Sequence, residues 1–168
     1  MFKGVGEIVN LRELLKKQEE LDGIILERAG IKKYPYESMK LALLVELGEL
    51  ANEVQSFKHW KQHKEISREN VLEEFADCLH VALSLENQLN QFPDEFLDNF
   101  SIAISIYKRS NKEINEGFLQ VYKFVLQGYS ILLSVIGLGL RLGITLEEMD
   151  QSYLKKYETN IKRQQEGY

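Results

Sequence analysis

From Leu11 onward, apolar residues recur at intervals of three and four, and alternating runs of β-branched residues are nearly missing. That period is helical. A first helix is expected behind Asn10 as N-cap, with Leu11, Leu14, Leu15, Leu21 and Ile25 on one broad face and Gly30 at its end. After a turn at Tyr34 and Pro35, the pattern predicts a second helix from about Glu37 to Trp60. His63, Lys64 and Glu65 form a polar link to Ser67, the N-cap of a third helix that reaches about Asn90. Pro93 marks a break, followed by a shorter helix from Asp94 to about Lys108 and a long one from Asn111 to Leu142, which Gly143 ends. Thr145 and Glu148 make a T-x-x-E capping box in front of a last helix, Leu146 to about Gln164. The expectation is an all-α bundle of about five or six helices forming one domain over residues 1–168, with no repeat and no dividing linker.

Two of these helices carry acids among their apolar residues. In the second, apolar side chains from Leu41 to Val45 surround the first half on nearly every side, which predicts a buried helix. Glu46, Glu49 and Glu53 share a stripe with Met39, Ala42, Leu50 and Phe57, so these acids are expected to face the core. In the third, Glu74 and Asp77 lie on one stripe with Val71, Cys78, Val81 and Leu85. An antiparallel pairing sets the two stripes against each other, and Gly48, Ala51 and Ala76 are small enough to permit close approach. A glycine inside a helix costs roughly 1 kcal/mol relative to alanine, so Gly48 points to a packing or functional reason. Converging carboxylates repel one another without a counter-ion, and their hard oxygens suit Mg²⁺ or Mn²⁺ in a multi-metal phosphoryl site. Spacing alone is weak, since 26 acids in 168 positions produce roughly four i,i+3 pairs by chance. At this level a solvated face with acids paired to Lys40 or Lys58 remains the competing reading.

Charge narrows the partners. The 26 acidic residues against 21 basic ones give a net charge of -5, which argues against a sequence-independent grip on nucleic acid. A local basic cluster still suits a small anion. Lys156, Asn160 and Arg163 share one face of the last helix, either to bind phosphate oxygens or to complement the helix dipole. Cys78 is the only cysteine, so it forms no intramolecular disulfide and is expected to be a packed, inert thiol in a reducing compartment. Met1 to Asn10 lacks a secretory pattern and no apolar run approaches the ~20 residues of a membrane helix, so a cytoplasmic protein without membrane contact is expected. His59 and His63 have the spacing of a zinc pair but no third ligand beside them. His80, one turn after Asp77, either orients a carboxylate, contacts a sugar or is a satisfied core histidine. Tyr129 to Leu140 is apolar on several faces and fits either bundle core or a dimer interface.

Several of these segments match a known pattern. Glu46-Leu-Gly-Glu49, a gap of 24 residues and Glu74-Phe-Ala-Asp77 resemble the signature of the all-α nucleoside triphosphate pyrophosphatases, which include MazG-like enzymes and dimeric dUTPases. Gln18-Glu-Glu-Leu-Asp22, Phe57-Lys58-His59-Trp60-Lys61 and the closing set Lys156, Asn160, Arg163, Gln164, Gly167 and Tyr168 resemble motifs of the dUTPase branch. Tyr157 stands where that closing motif often has asparagine, and Gln91 to Gln151 contributes little to the likeness.

The resemblance implies a dUTP diphosphatase that hydrolyses dUTP, and dUDP, to dUMP with Mg²⁺, or Mn²⁺ as substitute. It implies Glu46, Glu49, Glu74 and Asp77 as metal ligands, with Glu49 also the base that orients or deprotonates water. Gln18, Asp22, Trp60 and His80 would take the nucleoside, and Lys61, Lys156, Asn160, Arg163 and Tyr168 the phosphates. It further implies a homodimer, and it inclines the reading of Tyr129 to Leu140 toward the dimer interface. A MazG-like pyrophosphatase of broader or different base preference, or a helical binding protein without catalysis, are the rival readings.

Overall fold

In the computed structural model, which describes residues 11–93 and 113–167, six helices follow one another. They are α1 (Leu11–Arg28), α2 (Tyr36–Val54), α3 (Arg68–Leu89), α4 (Ile114–Gln127), α5 (Ile131–Arg141) and α6 (Leu146–Glu166). No strand occurs among the described residues. The Asn10 cap, the helix expected over Asp94 to Lys108 and Tyr168 fall outside them.

The helix starts follow local chemistry. Ser67 Oγ accepts from the Asn70 amide at 3.3 Å, which opens α3 as expected. Ahead of α6, the Thr145 amide donates to Glu148 Oε2 at 2.8 Å and the Glu148 amide to Thr145 Oγ1 at 3.1 Å, a complete capping box. Arg68 locks the start of α3 to that corner. Its guanidinium donates to both Glu148 oxygens, at 2.6 and 3.3 Å, and to the carbonyls of Leu142 and Gly143.

Two boundaries differ from expectation. The second helix stops at Val54, well before Trp60, because Gln55 adopts a left-handed conformation with φ 56° and turns its side chain to other work. Its Nε2 donates to the Glu65 carbonyl at 2.8 Å and its Oε1 accepts from Lys61 Nζ at 3.0 Å, closing the connection to α3. The long helix expected over Asn111 to Leu142 is broken. Gly128 and Ser130 both have positive φ, a conformation that glycine adopts without a Cβ clash, and Gln91 braces the corner by bonding the Gly128 carbonyl and the Ser130 amide.

At the centre lies α3, which packs against α1, α2, α5 and α6. Phe75, Cys78, Ala82, Leu83 and Leu85 are fully enclosed there. Cys78 is a buried free thiol, as expected. Within the run from Tyr129 to Leu140, Ile131, Leu132, Val135 and Leu138 belong to this core, while Tyr129 is exposed and Leu133 and Leu140 are partly buried. Ile25 stands at the exposed limit instead of joining the core face of α1. Likewise α2 is not buried all round among the described residues: Leu41 is 62 % and Val45 52 % exposed, and its main packing partners there are α3 and α4.

Close approach falls at other places than the small residues suggest. A Cβ on Gly48 would lie 3.7 Å from the Tyr122 hydroxyl, an ordinary contact, and Tyr122 Oη donates to the Leu44 carbonyl at 3.0 Å. The tightest contact is at Gly139. A Cβ there would lie 2.6 Å from the Phe75 ring and 2.7 Å from the Met149 methyl, both buried. Gly139→Ala should therefore destabilise the chain by about 1–3 kcal/mol through overpacking. Urea unfolding of the two proteins measures this, and an unchanged midpoint would refute the contact.

Candidate active site

Antiparallel packing of α2 on α3 brings the two acidic stripes together. Glu46, Glu74 and Asp77 each offer a carboxylate oxygen within 4.8 Å of the others, and all three are partly buried. Glu53 does not join them, since it lies two turns further along α2 and accepts from Asn70 Nδ2 at 3.0 Å. Glu49 sits exposed at the rim, still close enough for its charge to act on Glu46 and Glu74. Of the three acids on the α2 stripe, Glu46 and Glu53 are partly buried and Glu49 is exposed.

The cluster is electrostatically strained. Burial, followed by repulsion from Asp77, Glu49 and Glu74, pushes the Glu46 carboxyl up to about 7. Burial and the neighbouring acids also raise Glu74 and Asp77 above the usual carboxylate range. One cation already answers: Lys156 Nζ from α6 donates to Asp77 Oδ2 at 2.7 Å and lies 4.0 Å from Glu73. Beside this ammonium a cavity of about 490 Å³ opens between α3 and α6, with Arg68, Lys155, Lys156 and Arg163 in its wall. Hard oxygens converging at this spacing suit a divalent cation such as Mg²⁺, which would relieve the repulsion directly.

One helical turn further along α3, and one turn back along α6, lies a second group of polar residues, buried among α1, α3 and α6. His80 Nδ1 is 2.7 Å from the Gln18 amide, and His80 Nε2 is 3.1 Å from the Tyr153 carbonyl. The Tyr153 ring stacks on the imidazole at 4.1 Å between centroids, and its hydroxyl donates to the Leu14 carbonyl. At the other end of the Gln18 amide is Asp22 Oδ1, at 2.7 Å. Ser84, one turn beyond His80, bonds the Tyr34 hydroxyl at 2.7 Å. Burial dominates here too, raising the Asp22 carboxyl and holding the His80 imidazole down at about 4.

A metal-suited triad thus stands one turn from a buried polar network and beside a basic cavity. Comparison with known proteins agrees. A family model described as dUTPase matches residues 10–168. The chain belongs to the dUTPase family. No curated protein matches it closely enough to add a relative.

For this dUTPase, the residues nominated from sequence fall into two built groups and a set apart. Glu46, Glu74 and Asp77 stand together with Lys156, and Gln18, Asp22 and His80 form one network. Trp60 and Lys61 are exposed on the connection between α2 and α3, where Trp60 makes edge contacts with Phe57 and His59 and Lys61 is held by Gln55. His59 and His63 are both exposed, and neither belongs to a metal-suited group among the described residues. Asn160 lies one turn beyond Lys156 on α6, and Arg163 reaches the cavity wall, where its charge acts on Asp77. Tyr157 turns to α1 instead, with Lys17 Nζ 5.3 Å above its ring.

Tyr34, Ser84 and Tyr153 were not legible as site residues. The signal available was their helical register, since Ser84 is one turn after His80 and Tyr153 one turn before Lys156.

Proposed function

We propose that this dUTPase hydrolyses dUTP to dUMP and pyrophosphate, and dUDP to dUMP and phosphate, with Mg²⁺ held by Glu46, Glu49, Glu74 and Asp77. It acts as a single domain over residues 1–168, as a homodimer, in the cytoplasm. The observation that carries the reading is the triad of carboxylate oxygens within 4.8 Å on facing helices, one turn from the His80 network.

Bound Mg²⁺ would neutralise phosphate charge and acidify a water for in-line attack. The chain's own residues do the rest. Glu49, exposed at the rim, takes the proton from the attacking water. Lys156 and Arg163, on the cavity wall, supply an ammonium and a guanidinium to phosphate oxygens, joined by Asn160, Lys61 and Tyr168. Gln18, Asp22 and His80 form the floor that receives the nucleoside, and Trp60 supplies an aromatic face from the α2–α3 connection.

Product analysis tests this. Pure protein incubated with each deoxynucleoside triphosphate, with dUDP and with UTP, in the presence and absence of Mg²⁺, is expected to convert dUTP and dUDP to dUMP only with the metal. Broad hydrolysis of all bases would move the chain to the MazG-like reading. No hydrolysis of any would leave a binding protein.

A further inference from the structure

The Gln18–His80–Asp22 chain poses a proton-counting problem. Gln18 is only 3 % exposed, and both ends of its amide face a partner at 2.7 Å, His80 Nδ1 on one side and Asp22 Oδ1 on the other. The Tyr153 carbonyl, 3.1 Å from His80 Nε2, accepts and cannot donate, so Nε2 must carry a hydrogen. A neutral imidazole has one N–H, which leaves Nδ1 as an acceptor. The structure draws Gln18 Oε1 toward His80 and Nε2 toward Asp22, so this count turns the amide over, with its NH₂ toward His80 and its carbonyl oxygen toward Asp22. Two oxygens at 2.7 Å with no hydrogen between them repel.

We propose that Asp22 enters the pocket as a carboxylic acid, its hydroxyl donated to the Gln18 carbonyl, and that this one proton fixes the orientation of Gln18 and His80. Every other group in the chain is then satisfied. The amide donates to His80 Nδ1 and toward the Tyr153 hydroxyl 3.3 Å away, that hydroxyl donates to the Leu14 carbonyl, and His80 Nε2–H donates to the Tyr153 carbonyl. The reverse amide orientation, with Asp22 ionised, would require an imidazolium in a buried site.

The surroundings favour the neutral arrangement. Burial raises the Asp22 carboxyl against the hydrogen bonds from Ser84 and Gln18, and Glu19 on the same helix repels its charge. Facing it from the other elements are Tyr34, whose hydroxyl is bonded to Ser84, and Tyr153 on α6; Glu20 on α1 also bears on Tyr153. Burial keeps the imidazole neutral, and Lys156 on α6 adds positive charge that opposes its protonation.

A functional consequence follows, resting on the dUTPase reading. Gln18 is spent inside the network and acts as a positioning residue. Asp22 Oδ2 is a buried oxygen without a hydrogen-bond partner of good geometry among the described residues, with the Ser84 hydroxyl as its neighbour. As the carbonyl oxygen of a carboxylic acid it only accepts, so it suits a ring N–H such as the imide of uracil and repels the ring N3 acceptor of cytosine.

The proton is tested without any nucleotide. In ligand-free protein at pH 7, ¹⁵N shifts of the His80 ring are expected to show the neutral Nε2–H tautomer, and the ¹³C shift of the Asp22 carboxyl a protonated acid. An imidazolium, an Nδ1–H tautomer or an ionised Asp22 would overturn the proposal. Asp22→Asn, whose amide offers the same donor and acceptor, is expected to retain the Nε2–H tautomer, and its loss in that variant counts against the proton. Asp22→Ala is expected to narrow the dUTP-over-dCTP ratio of kcat/KM at least about tenfold, mainly through KM. An unchanged ratio overturns the acceptor role of Oδ2. Absence of any dUTP hydrolysis by the unsubstituted protein would sink the activity while the spectra still decide the proton.

Discussion

Glu49→Gln is expected to lower kcat for dUTP by about 10²–10⁴-fold, the range set by losing a positioned general base. Glu46 and Asp77 are committed to the interior of the α2–α3 seam, and Asp77 is already bonded to Lys156, whereas Glu49 stands at the solvent rim within electrostatic reach of the triad. Glutamine keeps the shape and removes both the charge and the basicity, and the loss belongs in kcat rather than KM if the group acts in the transition state. The fold should not suffer, because an exposed position usually changes stability by less than about 0.5 kcal/mol and removing the charge relieves Glu46 and Glu74. Steady-state kinetics with dUTP, alongside a melting curve, make the comparison. A kcat within threefold of the parent's would remove Glu49 from the mechanism.

How far the sequence carried can be judged residue by residue. The Ser67 cap and the Thr145–Glu148 box were legible because each is a bond between residues three apart, independent of the rest of the chain. The acid triad was legible too, since helical spacing puts Glu74 and Asp77 on one face and an antiparallel neighbour supplies Glu46. The end of α2 was not, because Gln55 leaves the helix for bonds to Glu65 and Lys61 that a helical period does not encode. The break at Gly128 hid inside an apolar run, where its brace, Gln91, lies 37 residues away. Lys156 was nominated for phosphate, yet it spans 79 positions to pair with Asp77, a distance closed only by the crossing of α3 and α6. The same crossing assembles Tyr153 over His80. Long-range polar contacts between helices are what periodicity leaves out, and here they make up most of the pocket.

The acid cluster also fixes how stability should respond to pH and to a cation. With its folded-state value near 7 against 4.5 in the unfolded chain, Glu46 holds its proton longer in the native state. Between those two values the native protein binds more protons than the unfolded one, so stability falls as pH rises through that window and stays lower above it. Glu74 and Asp77, also raised, act in the same direction. His80 works the other way, but its value is lowered from 6.5 to about 4, so its contribution is complete above pH 6.5 and is lost only on acidification below it. Metal-free protein should therefore melt at a lower temperature at pH 8 than at pH 6.5. Mg²⁺ needs ionised ligands, so its stabilisation should be larger at pH 8 than at pH 6.5. At about 100 times its Kd it is worth about 2.7 kcal/mol, or about 5–10 °C for a chain of this size. Calorimetry at the two pH values with and without millimolar Mg²⁺ reads both effects. A shift equal at the two pH values, or none at pH 8, would mean that these carboxylates do not hold the ion.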